Sequence, residues 1–89
     1  MEVTLVVTGP LRRNRVGKSL FNVKEGHTLL QFLFENASDL LDGSSLRGDL
    51  LYLINGMDAN VRGGAGAELH NGDIITIVPI AHGGRSLEE

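Results

Sequence analysis

The 89-residue chain contains no cysteine. A disulfide bond, a thiolate metal site and a thiol nucleophile are therefore excluded. Disulfide bonds persist in oxidising compartments, so a chain without cysteine fits a reducing one. We therefore expect a cytoplasmic protein. Its length corresponds to one domain with a single modest hydrophobic core.

The sequence also lacks long apolar runs and an excess of positive charge. Its apolar stretches are far shorter than the roughly 20 residues that a membrane-spanning helix needs. The acidic Glu2 stands where a secretory signal would be basic. Eight basic and eleven acidic residues give a net charge of −3, which disfavours general nucleic-acid binding. These absences predict a soluble domain that has no membrane partner.

No established catalytic motif is present. The chain lacks a His-Glu-x-x-His helix, a phosphate-binding glycine loop followed by lysine, and a nucleophile elbow. The histidines His27, His70 and His82 lie in different segments, and none has a second metal ligand at helical spacing. The glycine-rich run at 63–66 lacks the preceding strand and following helix of a dinucleotide site. We therefore expect no enzyme activity, no metal ion and no bound cofactor.

Alternating apolar residues predict strands along the chain. They fall at 2–8, 18–24, 50–54 and 73–78, with a short return strand at 57–61. Asn-Gly pairs at 55–56 and 71–72 predict tight turns. Pro79 has no amide hydrogen to donate, so strand pairing is expected to fail near it.

A helix is predicted between a capping box and a glycine. Thr28 and Gln31 have the spacing at which each side chain bonds the other's backbone amide, and Gly43 is a stop signal. The apolar residues at the spacing of one helix face are Leu30, Leu33, Phe34, Ala37 and Leu41. Leu29 and Phe32 lie off that face. Either the apolar stripe is wide, or these two side chains are exposed for a partner.

The order of the predicted elements is strand, strand, helix, strand, short strand, strand. A hairpin followed by a helix that crosses one sheet face indicates an α+β fold, here in the β-grasp arrangement. The first and last strands would run parallel if they are neighbours in the middle of the sheet. We expect a β-grasp domain at 1–80, with a mixed sheet and one main helix on one face, followed by a flexible tail at 81–89.

A basic loop connects the first two predicted strands. It carries Arg12, Arg13, Arg15 and Lys18. The loop is either a solvated hairpin connection or a contact for RNA or an acidic protein surface. No aromatic residue is interleaved with the basic ones to stack on bases, which weakens the RNA interpretation.

Two glycines, Gly83 and Gly84, follow the last predicted strand. Glycine loses much conformational entropy on ordering and has no side chain to pack. A Gly-Gly tail is, however, slim enough to thread a narrow channel and present a backbone carboxyl group to another protein's reactive centre. The alternative is a terminal segment whose composition matters little.

This part of the chain resembles the ubiquitin-like sulfur carriers. The motif is LHNGDII at 69–75, followed by Pro79 and by His82, Gly83 and Gly84. Similar sequences end the small subunit of molybdopterin synthase, the thiamin-pathway sulfur carrier, the ubiquitin-related modifier and the archaeal small modifier proteins. The strand that ends in Asn-Gly at 55–56 also resembles this family.

The resemblance implies a carrier that is activated by a partner. An E1-like enzyme would use ATP to adenylate the carboxylate of Gly84, while Gly83 provides clearance. The acyl-adenylate would then become a thiocarboxylate for a sulfur-acceptor enzyme or be joined to lysines of target proteins. We expect Pro79, Ile80 and His82 to contact partners at the base of the tail.

The chain departs from the family pattern in a five-residue extension, 85–89. While Arg85 is attached, Gly84 has no free carboxylate to adenylate. Three explanations compete: a protease cuts between Gly84 and Arg85, the extension is a remnant of cloning, or the protein has lost conjugation. In the last case the chain would be a non-conjugating β-grasp module that binds protein or RNA.

Overall fold

The computed structural model describes residues 1–13 and 15–80. One sheet contains five strands: β1 (Glu2–Val7), β2 (Lys18–Asn22), β5 (Leu50–Ile54), β6 (Met57–Asp58) and β7 (Ile74–Pro79). The helix α1 (Leu29–Asn36) packs on one face of this sheet, and a separate hairpin pairs β3 (Leu41–Asp42) with β4 (Ser45–Leu46). The order of strands across the large sheet is β2-β1-β7-β5-β6.

The first and last strands are neighbours at the centre of the sheet. Strands β1 and β7 run parallel, while β2 pairs antiparallel with β1 and β5 pairs antiparallel with β7. The parallel register places Leu5 opposite Ile75 and Val7 opposite Ile77, and all four side chains are buried. Successive strand residues face opposite sides of a sheet, so these residues form the core beneath the helix. The predicted α+β β-grasp fold is confirmed.

The helix begins as predicted. The Gln31 amide donates to Thr28 Oγ1 at 3.2 Å, and the Thr28 amide donates to Gln31 Oε1 at 2.8 Å. It ends at Asn36, however, so the expectation that it runs to Gly43 is wrong. A 3₁₀ turn, Ser38–Leu40, follows the C-cap residue. Serine and aspartate favour such local backbone bonding over a helix interior, which accounts for the early end.

The buried face of the helix differs from the predicted one. Leu29, Phe32 and Leu33 are fully buried, whereas Phe34 is 60% exposed. The Phe32 ring packs edge-on against Phe21, with ring centroids 5.3 Å apart. The suggestion that Leu29 and Phe32 are exposed for a partner is therefore wrong, because both side chains belong to the core.

The predicted return strand is much shorter than expected. After the Asn55-Gly56 turn, where both residues have positive φ as predicted, β6 contains only two residues. The Asp58 side chain then accepts a hydrogen bond from the Asn60 amide at 2.9 Å and starts a 3₁₀ turn, Ala59–Arg62. This cap ends the strand at the edge of the sheet. No helix in the described residues is long and apolar enough to cross a bilayer.

Candidate functional site at the base of the tail

Gly83, Gly84, Arg85 and His82 lie outside the described residues. Their roles as carrier, cleavage site and partner contact stay predictions. The structure does describe the point in the chain that precedes this segment. That point, the tail root, consists of Pro79, which is half-buried, and Ile80, which is 42% exposed.

The tail root is held to the sheet beyond Pro79. The Ile80 amide donates to the carbonyl oxygen of Asp49 at 2.9 Å. On the β1 side pairing ends as predicted, with Val7 opposite Ile77, but on the β5 side the prediction that pairing fails near Pro79 is wrong. Alternate residues of a strand direct their amides to opposite neighbours. The nitrogen of Pro79 therefore faces the side where β1 has ended, and its missing hydrogen leaves no gap in the β5–β7 ladder.

The basic loop lies next to the tail root. Its first residues form a 3₁₀ turn, Gly9–Arg12, that contacts β7. Gly9 has a φ of +59°, and a Cβ atom at this position would lie 3.7 Å from Pro79 Cγ. The fold thus brings together two sequence features, the basic loop and the tail, that are about 70 residues apart in the sequence.

An arginine clamp on the other side of the tail root was not found by sequence analysis. Arg47 donates from Nε and from a terminal nitrogen to the two carboxylate oxygens of Asp49, at 2.9 and 2.7 Å. The Arg47 amide donates to the hydroxyl of Tyr52, which donates to the Leu40 carbonyl at 2.6 Å. Burial raises the pKa of Tyr52 above its ordinary value of 10.0. The clamp fixes the segment whose carbonyl holds Ile80.

The open face of the sheet carries apolar side chains. The register aligns Leu20 on β2, Thr4 on β1 and Ile74 on β7 in one row. Leu20 is 64% exposed and Ile74 is 45% exposed. Alternation along β2 places Leu20 and Phe21 on opposite faces, but only the strand order shows that Leu20 and Ile74 share a row.

His27 and His70 do not form a common site, and His82 lies outside the described residues. His27 Nε2 lies 3.0 Å from Glu35 Oε1, and His70 Nδ1 lies 3.0 Å from the Arg62 guanidinium. Within residues 1–13 and 15–80, no group of three metal-ligating side chains is close enough to hold an ion. His27 and His70 therefore participate in separate local contacts at the surface of the fold.

One buried carboxylate joins the two Asn-Gly turns. Asp73, 5% exposed, accepts hydrogen bonds from the His70 amide at 2.8 Å and from the Asn55 side chain at 2.9 Å. Arg62 lies 3.4 Å from the same carboxylate. Burial raises the pKa of Asp73, but the hydrogen bonds and the Arg62 charge outweigh it, so the pKa is below its ordinary value of 3.8.

Asp73 is expected to make the domain sensitive to acid. Its lowered pKa adds stability above the unfolded-state pKa, and this contribution disappears as the pH falls through the lower folded-state pKa. Asp73→Asn should lower the free energy of unfolding by about 1–3 kcal/mol near neutral pH. The difference in the free energy of unfolding between the two proteins should become smaller below pH 3.8. Urea unfolding of both proteins across this range measures the effect. The exposed Asp42→Asn is the control, and an equal loss there would contradict the role of Asp73.

Known structures share this fold. Urm1 from Trypanosoma brucei is 23% identical, with a TM-score of 0.70 over 93% of this chain and 95% of that one. SAMP1 from Haloferax volcanii is 17% identical, with a TM-score of 0.74 over 94% and 100% of the two chains. A chain of the Amycolatopsis orientalis BexX/CysO complex is 27% identical, with a TM-score of 0.68 over 92% and 99%. No curated protein sequence matches the chain.

The family is shown by the sequence itself. The model of the Urm1 family, described as ubiquitin related modifier, matches residues 16–84. This match covers more than half of the chain and includes the helix, strands β2 to β7 and the two tail glycines. The resemblance to ubiquitin-like carriers and modifiers is confirmed, and the chain belongs to the Urm1 family of ubiquitin-related modifiers.

Proposed function

We propose that this protein is an acyl carrier whose Gly84 carboxylate is adenylated by an E1-like enzyme after residues 85–89 have been removed. The observation that carries the proposal is the extent of the family match, which ends at Gly84 and leaves out the extension. The chain is itself a ubiquitin-like carrier or modifier and not an enzyme. The activating groups and ATP therefore belong to the partner, in the cytoplasm.

The proposed activation makes a poor electrophile reactive. A carboxylate oxygen of Gly84 attacks the α-phosphorus of ATP, and pyrophosphate leaves. The acyl-adenylate carries AMP as a good leaving group. A sulfur nucleophile from a sulfide-donating partner then displaces AMP to give a thiocarboxylate, or a lysine amine displaces AMP to give an isopeptide bond and releases a proton. A protease that hydrolyses the bond between Gly84 and Arg85 supplies the carboxylate.

Sulfur transfer and attachment to target lysines are both compatible with the surface of the domain. The two lysines of the chain, Lys18 and Lys24, are exposed. With so few acceptors, extended chains built through many lysines of this protein are not expected. The Amycolatopsis orientalis relative is seen in a complex with BexX, which supports a protein partner for this chain, either a sulfur acceptor or a modified target.

The intact mass of untagged protein purified from its native cells tests the proposal. We expect a species that ends at Gly84. A gain equal to one sulfur replacing one oxygen indicates sulfur carriage, and adducts linked to lysine peptides indicate modification. If every molecule keeps Glu89 while the E1-like enzyme is present, the proposal is wrong. A chain lacking Gly83 and Gly84 that retains its full cellular role would instead support a binding module.

A further inference from the structure

The positive charge of this chain is concentrated in one segment. Residues 9–18 contain Arg12, Arg13, Arg15 and Lys18 and no acidic residue, although the whole chain has a net charge of −3. Arg15 is paired with Asp39. Within residues 1–13 and 15–80, the structure shows no ion pair for Arg12 or Lys18, and both are exposed. The same holds for the exposed Arg13, so three cations of this segment have no ion-pair partner among the described residues.

Two of these cations, Arg12 and Lys18, border a groove with apolar walls. The groove, here called the cationic groove, has a volume of about 530 Å³. Its lining includes Val6, Gly9, Arg12, Val16, Gly17 and Lys18. Val16 is 71% exposed and adds apolar surface to the groove. A surface that combines exposed apolar area with unpaired charge is suited to a partner that supplies both complements.

The groove is shaped by the backbone of the loop. The Val7 amide donates to the Gly17 carbonyl at 2.9 Å, and the Arg13 amide donates to the Pro10 carbonyl at 3.2 Å. Arg12 lies directly over Gly17, since a Cβ atom there would be 2.9 Å from Arg12 Nε. Glycine at this position therefore leaves room for the guanidinium beside the groove.

We infer that the cationic groove is a docking site for an acidic segment, bearing an apolar side chain, of the E1-like adenylating enzyme. The inference rests on the proposed function. Gly9 lines the groove, and a Cβ atom at Gly9 would lie 3.7 Å from Pro79 Cγ. A partner bound in the groove is consequently next to the tail root. Charge complementarity selects an acidic protein segment, because the described lining offers apolar walls and no aromatic side chain for stacking bases.

Two matched pairs of variants test the groove. Lys18→Glu and Lys24→Glu make the same change at exposed lysines, of which only Lys18 lines the groove. Val16→Asp and Val61→Asp compare valines that are 71% and 68% exposed. Each chain ends at Gly84, and pyrophosphate exchange by the E1-like enzyme from the same cells is measured. We expect the groove variants to raise KM for the carrier about tenfold, with kcat retained and weaker salt dependence for Lys18→Glu.

The outcomes distinguish a failure of the groove inference from a failure of the proposed carrier function. If the unaltered carrier supports no exchange, the proposed function fails. If it supports exchange and the groove variants match their controls in KM, the groove inference alone is overturned. The groove inference is also overturned if Lys18→Glu leaves KM for the carrier unchanged but weakens binding to a labelled single-stranded RNA. The same holds if Lys18→Glu leaves KM unchanged but dissociates a dimer in sedimentation. Thermal unfolding of all four variants should match the unaltered protein, since each altered side chain is exposed.

Discussion

A chain that ends at Gly84 is expected to be adenylated by its E1-like enzyme, and the chain of residues 1–89 is expected to give no signal above background. The peptide bond to Arg85 removes the carboxylate oxygen that attacks ATP, so the effect is a loss of the reaction and not a weaker affinity. Pyrophosphate exchange and detection of the acyl-adenylate by mass measure it. Both chains contain the same described domain.

A substitution within the tail provides the matched control. In the chain ending at Gly84, Gly83→Val adds a branched side chain one residue before the carboxyl-terminal Gly84, whereas Ala81→Val adds bulk three residues before it in the sequence. Misplacement at a reacting centre can cost about 100-fold in rate, and we expect a loss of that order for Gly83→Val alone. Equal activity of the 1–89 chain, without cleavage, would contradict the carrier proposal.

Phe32→Ala is expected to lower the free energy of unfolding by about 3–5 kcal/mol, as large-to-small changes of buried aromatic residues do. Phe32 is fully buried and packs against Phe21. A domain of this size is typically stable by only about 5–15 kcal/mol, so the loss removes much of the total. Urea unfolding followed by circular dichroism measures it.

The same helix supplies the control. Phe34→Ala makes the identical change at a side chain that is 60% exposed, and surface substitutions usually change stability by about 0.5 kcal/mol or less. If Phe34→Ala proved the more damaging of the two, the helix would be rotated relative to the sheet, and Phe32 would again be available to a partner.

Local signals in the sequence predicted much of the fold. The capping box at Thr28 and Gln31 and the Asn55-Gly56 turn are each specified by a few neighbouring residues. The alternation of β1 is equally local. Such features were recovered because their chemistry does not depend on distant parts of the chain.

The features that were missed depend on tertiary structure. The apolar residues of the helix fit two faces, and only packing beneath the sheet selects the one with Leu29 and Phe32. Strand pairing beyond Pro79 depends on which neighbouring strand the Pro79 nitrogen faces. The Arg47–Asp49 clamp has no recognisable sequence pattern, and the cationic groove beside the tail root required the parallel pairing of the first and last strands.

The hydrogen bond from the Ile80 amide to the Asp49 carbonyl limits how far the end of the chain can reach into any enzyme that uses this carrier. In the proposed function, only residues 81–84 lie between that fixed point and the end of the chain that is activated. A fully extended chain spans at most about 3.5 Å per residue. The catalytic pocket of a partner must therefore lie within about 14 Å of the place where Ile80 rests. Enzymes with a deeper channel are excluded as partners by length alone, whatever the complementarity of their surfaces.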